Sequence, residues 1–210
     1  MENTKNIKNT NETLSRNKKL ALTGAFSALV IVLGITKLGL IPLGATASIS
    51  ILQIPVILVA MLAGLPYSVF VGAVFGILSL IQAAMSPSGV LDPVFVNPLC
   101  SVLPRMITGV IAWAVWKLLN FIPKMPKTLS AAINGFVTTF CHTLLVIGCL
   151  FIFEGKAVSE AMGGMGYFAV IGMLSFNAIL EAIAGTIVCA AVFAGIFISK
   201  NRKSKLSQEQ

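Results

Sequence analysis

Charge is scarce in this 210-residue chain: 10% of its residues are Asp, Glu, Lys or Arg, and seven of those are acidic. With 57% hydrophobic residues and a mean hydropathy of +0.94, that scarcity excludes a soluble globular domain. Histidine occurs once. A lone His142, with no second His or carboxylate at ligand spacing in its own stretch, argues against a metal centre. It argues equally against the HExxH or carboxylate–His constellation of a membrane-embedded enzyme. Cys100, Cys141, Cys149 and Cys189 form no CxxC pair and sit in apolar runs, so they are expected to pack as small hydrophobes. A GxxxxGK[ST] loop is missing as well, so no P-loop binding of ATP is expected, and no cofactor on this chain. ATP-driven work would need another subunit.

What is present is a series of long apolar runs, and they predict an all-α membrane protein of six transmembrane helices in a compact bundle. Residues 1–20 carry Lys5, Lys8, Arg16, Lys18 and Lys19 among Asn and Thr, and are expected to form a disordered basic tail. No cleavable signal peptide is expected there, because the apolar run that follows leads into further spans. Ala21 to Thr36 is free of charge and predicts the first span. Residues 37–50, rich in Gly, Pro, Ser and Thr, predict an outside connection. The 34 residues from Ile51 to Ala84 hold no formal charge, more than one span requires, and Gly64-Leu65-Pro66 supplies a break into two helices. Later spans are expected at Leu99–Leu119, Thr128–Phe153 and Phe168–Ser199, with a loop at 154–166 carrying Glu154 and Glu160. The membrane domain is thus placed at 21–199, with a second tail at 200–210.

Net charge is +8, which by itself would suit nucleic acid. The basic residues instead cluster at the two chain ends and in the 117–127 connection. Twelve fall on segments assigned inside and two, Lys37 and Lys156, outside. That bias predicts both termini in the cytoplasm and a lipid bilayer, with no nucleic acid, as the partner. Trp113 and Trp116 beside Lys117 read as interfacial anchors.

Residues 85–105, MSPSGVLDPVFVNPLCSVLPR, are the one stretch that gathers Pro, Ser, Asp, Asn and Arg in this apolar chain. Pro87, Pro93, Pro98 and Pro104 forbid an uninterrupted helix there. A shaped loop over the bundle results, and it predicts a small-molecule site. Arg105 then falls about 9 Å into the fourth span, counting ~1.5 Å per residue. An intramembrane arginine faces a cavity or a partner, and its guanidinium could grip a carboxylate or phosphate bidentately; the alternative is snorkelling or a tie to Asp92. Asp92, Asn97 and Gln53 supply further polar atoms at the same end. Glu181, near the middle of the last span, and Asn177 one turn earlier share a face, where they would line the bottom of the site or make an interhelical bond.

Small residues mark two further faces. Ala21 and Ala25, with Gly24 and Ala28, are spaced by four on the first helix, which suits either a docking face for a partner or packing inside the bundle. Gly72 and Gly76 form a GxxxG that points to close packing within the chain.

Taken together, the Lys-Lys leader into Ala21-x-x-x-Ala25, the ILQIPVILVAMLAGLPYSVFVGAVFGILSL pair and FVNPLCSVLPRMITG resemble the substrate-binding S component of energy-coupling factor (ECF) vitamin transporters. The resemblance spans about residues 18–200. It implies a six-helix bundle that captures a vitamin at the outer face, covered by residues 40–50 and 86–98. It also implies partners: an ECF transmembrane coupling subunit reached through Ala21 and Ala25, and two ATPase subunits. Within the family the chain resembles the branch of pantothenate and riboflavin carriers. Pantothenate offers a carboxylate for Arg105, whereas riboflavin would call for stacking on Phe95, Tyr167 and Phe168. A self-sufficient secondary transporter using Glu181 or His142 for protons is the alternative.

Overall fold

The structure, a computed structural model, describes residues 15–42, 48–85, 91–161, 163–164 and 167–206. The expected covers at 40–50 and 86–98 lie partly outside these residues, as does most of the N-terminal tail.

Helix α1 (Arg16–Ile35) begins five residues before its charge-free run, because Arg16, Lys18 and Lys19 are tolerated in the first turns of a helix. It ends where Lys37 turns to a φ of +56° and Gly39 donates back to the Leu33 carbonyl. The chain then forms a short hairpin, β1 (Leu40–Pro42) paired antiparallel with β2 (Ser48–Ser50), Leu40 opposite Ser50. The described parts of the expected outside connection are therefore joined by backbone pairing, and the fold is helical with one small two-stranded sheet.

Helices α2 (Gln53–Leu62) and α3 (Leu65–Met85) meet at Gly64, whose φ of +102° suits glycine at the break foreseen there. A short 3-10 helix, Asp92–Val96, leads through Asn97 into α4 (Pro98–Leu119). Helix α5 (Lys127–Ala161) and helix α6 (Tyr167–Leu206) complete the bundle.

Two expectations are restated here. The described residues form six α-helices, of which five are long and apolar enough to cross a membrane on their own. The remaining helix, α2, has ten residues, about 15 Å at ~1.5 Å per residue, half of a bilayer core of ~30 Å. It is buried from Gln53 through Met61 and contacts α1, α3, α4, α5 and α6, so it is the axis of the bundle rather than a lipid-facing span. A helix apolar on every side belongs in such a place. The second concerns 154–166. Helix α5 continues past the expected boundary to Ala161, interrupted only by a non-helical residue at Glu154 (φ −136°, ψ 27°). The run Lys156–Ala161 is charged, yet Lys, Ala and Glu are good helix formers, and charge alone did not end the helix.

Helices α3 and α4 pack at glycine distance. A Cβ on Gly72 would run into the Arg105 carbonyl, and one on Gly76 would sit 2.5 Å from the Val102 Cα. Across the same seam, Ser68 Oγ donates to the Gly109 carbonyl at 3.1 Å. The GxxxG of α3 is thus an internal seam, as its spacing suggested.

At one end of the bundle, Lys19 lies 5.9 Å over Tyr67, Lys117 5.0 Å over Trp113 and Lys127 5.8 Å over Trp116. Lysine–aromatic pairs of this kind are what an interfacial belt contains. The hairpin and the 3-10 helix sit at the opposite end.

Candidate functional site

Asn97 starts the site. Its Oδ1 accepts from the Leu99 N–H at 3.0 Å, capping α4, and Pro98 takes the first helical position, where no N–H is needed. Its Nδ2 donates to Glu154 Oε1 at 2.8 Å, at the break in α5. One side chain therefore fastens the start of α4 to the break in α5. Beneath it, Val94 packs with Cys100, Leu150 and Val158, which seats the 3-10 helix on α5. A cleft of ≈ 410 Å³ opens beside this contact, lined by Pro93, Val94, Val96, Asn97, Glu154, Ala157 and Ala161. Asp92 stands half-buried at the start of the 3-10 helix and does not line the cleft.

Seven residues into α4, Arg105 is buried (7% exposed) between two aromatic faces, 4.9 Å from Phe95 and 5.5 Å from Phe75. It does not snorkel. Nη1 donates to the Cys100 carbonyl at 2.7 Å and Nη2 reaches Ser79 Oγ at 3.4 Å. Nε is buried with no hydrogen-bond partner in the protein. The side-on edge of the guanidinium, Nε with Nη2, is thus almost uncommitted, while the other arm is held.

One turn further, Thr108 Oγ donates to the Pro104 carbonyl at 2.7 Å and meets His142 Nδ1 at 2.8 Å. A hydroxyl has one proton, so with that proton on Pro104 the Thr108 oxygen accepts from the ring. In the neutral imidazole the proton is then on Nδ1. His142 lies 6.0 Å from Phe75, and this pairing gives the lone histidine a structural place beside Arg105.

On the far side, Glu181 of α6 is buried and both of its oxygens are engaged. Oε1 accepts from the Ser50 backbone N–H at 2.7 Å and more loosely from Asn177 Nδ2 at 3.5 Å; Oε2 accepts from Thr143 Oγ at 2.9 Å. An intramembrane carboxylate requires such donors. Here they tie the hairpin, α5 and α6 together. Gln53, at the start of α2, is fully buried, and neither amide atom has a hydrogen-bond partner in the protein. Thr139 Oγ is in the same condition. A buried amide without a partner costs about 1–3 kcal/mol.

The sequence-derived set thus divides. Arg105, Gln53, Asn177 and Glu181 are buried in the interior, whereas Asn97 lines the cleft and Asp92 is half-buried outside its lining. Tyr167 and Phe168 have side chains outside the described set. Residues that the sequence did not single out are Phe75, Ser79 and Thr143, each of ordinary type in its run, and Glu154 was read only as a loop charge. Asn134 is a structural residue near the basic end, donating to the Ala112 carbonyl at 3.1 Å and accepting from Thr138 at 2.8 Å.

The small-residue stripe of α1 faces away from the bundle. Ala21, Gly24, Ala25 and Ala28 are exposed, and a Cβ on Gly24 would meet nothing within 4 Å. Thr23, Ser27, Val30 and Gly34 form the buried face. Internal packing therefore does not account for the stripe.

Comparison with known proteins adds two kinds of likeness. The family model described as ECF transporter, substrate-specific component, matches residues 18–196. The chain is 31% identical over 196 residues to a pantothenate transporter, PanT, of Leuconostoc mesenteroides, covering 85% of this chain and 91% of that protein. It is 22% identical over 166 residues to a pantothenic acid transporter, PanT, of Lactococcus lactis, covering 72% of this chain and 79% of the other.

Proposed function

The chain belongs to the family of substrate-specific components of ECF transporters, and we propose that the vitamin it captures is pantothenate. It is a multi-pass protein of the bacterial plasma membrane. The observation that carries the ligand assignment is the uncommitted Nε edge of Arg105, buried between Phe75 and Phe95. A carboxylate fits that edge with two parallel hydrogen bonds, and in a dry setting such pairs are strong. Pantothenate carries one carboxylate, an amide and two hydroxyls. The unpartnered amide of Gln53 and hydroxyl of Thr139 would receive its polar atoms, with Asn177 and Glu181 walling the far side. The names of both relatives agree with this choice. Riboflavin, with no carboxylate, would leave the Arg105 edge bare.

In this reading the hairpin end faces outward and the lysine–aromatic end lies at the cytoplasm, with both termini there. Asn97 stands at the mouth. The exposed face of Ala21, Gly24, Ala25 and Ala28 lets a helix of the transmembrane coupling subunit approach closely, and two ATPase subunits supply ATP hydrolysis for release inside. The chain itself binds no ATP in this scheme.

The test is titration calorimetry on the detergent-purified chain, alone, with pantothenate, riboflavin and other vitamins. Saturable binding of pantothenate in preference to the rest supports the assignment. Preference for a ligand without a carboxylate sinks it, and ATP-independent uptake by the chain alone in liposomes sinks the division of labour.

A further inference from the structure

Pro104 lies inside α4, one residue before Arg105, and is buried. A proline has no N–H to give the carbonyl four residues back, so within the helix the Cys100 carbonyl is left without its regular donor. That is the carbonyl to which Arg105 Nη1 donates at 2.7 Å. The carbonyl of Pro104 itself accepts from Thr108 Oγ, and Thr108 in turn receives His142. We infer that Pro104 is a positioning residue for ligand capture: by vacating the Cys100 carbonyl it gives one arm of the Arg105 guanidinium a fixed anchor and so aims the other edge at the ligand carboxylate. The inference deepens the proposed function and rests on Arg105 as the carboxylate-binding group.

The physics is competition at one acceptor. With any other residue at 104, a backbone N–H takes the Cys100 carbonyl along the helix axis, and the guanidinium must share it. A shared acceptor holds the arm less firmly, and an arginine with free rotamers must be ordered again whenever ligand binds. Helix formation gains from the added N–H, so the loss falls on the ligand and not on the fold.

The experiment measures the affinity of pantothenate and of pantothenol, the alcohol that lacks the carboxylate, for the full chain in detergent, in wild type, Pro104→Val, Pro104→Ala, Thr108→Val and Arg105→Ala. Thermal unfolding without ligand is recorded for each. Expected is a wild-type preference for pantothenate that vanishes in Arg105→Ala, and that falls about tenfold in both Pro104 variants while pantothenol affinity and the unfolding temperature hold. Thr108→Val, which adds no backbone N–H to compete for the Cys100 carbonyl, should keep the preference. If Arg105→Ala leaves the preference intact, the carboxylate reading is wrong and the inference goes with it. If Arg105→Ala abolishes it but both Pro104 variants retain it, the inference alone is overturned. Equal loss of both ligands in folded Pro104 variants also overturns it, since that is a merely structural effect. Pro104→Val preserves bulk and Pro104→Ala minimises it, so a folding failure of one leaves the other to decide.

Discussion

Arg105 Nη1 donates to the Cys100 carbonyl at 2.7 Å, the carbonyl that Pro104 leaves without a helical N–H. An intramembrane cation is thereby held by backbone on one side and by two aromatic rings on its faces, with no need to reach the headgroups. The consequences for binding are sharp.

Arg105→Ala should weaken pantothenate binding by about 2–5 kcal/mol, the range for truncating one partner of a buried charged pair. Arg105→Lys keeps the charge and loses the planar fork, so it should recover only part of that loss. Calorimetry decides, and wild-type affinity in either variant would refute the assignment.

Gln53→Leu removes a buried amide that has no partner in the protein. The unliganded chain should gain about 1–3 kcal/mol of stability, while ligand affinity drops. A thermal shift upward together with weaker pantothenate binding is the expected signature. A stability loss would show that the amide is satisfied at rest.

A Cβ at position 72 would collide with the Arg105 carbonyl. Gly72→Val should therefore destabilise the bundle by about 1–3 kcal/mol through overpacking of the seam. Gly24→Val, placed where a Cβ meets nothing, should leave unfolding unchanged within ~0.5 kcal/mol. Chemical unfolding of the two proteins side by side tests the contrast.

Ala25→Trp places a large ring on the exposed face of α1. Pantothenate binding by the isolated chain should persist, and ATP-driven uptake in vesicles with the coupling module should stop. Uptake at the wild-type rate would clear this face of any role in docking.

Glu154→Ala breaks the bond from Asn97 and loosens the 3-10 helix that carries Phe95 over Arg105. Ligand should dissociate faster, with a smaller change in association. Glu154→Gln, which keeps an acceptor oxygen, should behave like wild type. Stopped-flow release of bound pantothenate distinguishes them.

Much of this was readable before any coordinates. The break at Gly64 and the internal seam of Gly72 and Gly76 follow from residue type and spacing, whereas an arginine inside a span left burial and snorkelling both open until its contacts were seen. The rest was hidden for physical reasons. Hydropathy reports how apolar a stretch is, not whether its neighbours are lipid or protein, so α2 looked like one more span. Charge at Glu154, Lys156 and Glu160 suggested a loop, yet those residues favour helix and one non-helical residue was enough to turn the chain. Contacts such as Ser50 to Glu181 or Asn97 to Glu154 join positions far apart in sequence. No local pattern announces them.

The shortness of α2 bears on how the chain is made. A ten-residue apolar helix cannot be threaded into a bilayer and left there as a stable stage, because its ends would lie in hydrocarbon. It contacts all five longer helices, two of which emerge from the ribosome after it by many tens of residues. Until α5 and α6 arrive, the wall around α2, built by α1, α3 and α4, is open on one side. The short central helix therefore gains its last packing partners only when α6 is made, and a nascent chain cut short before α6 leaves one side of it uncovered.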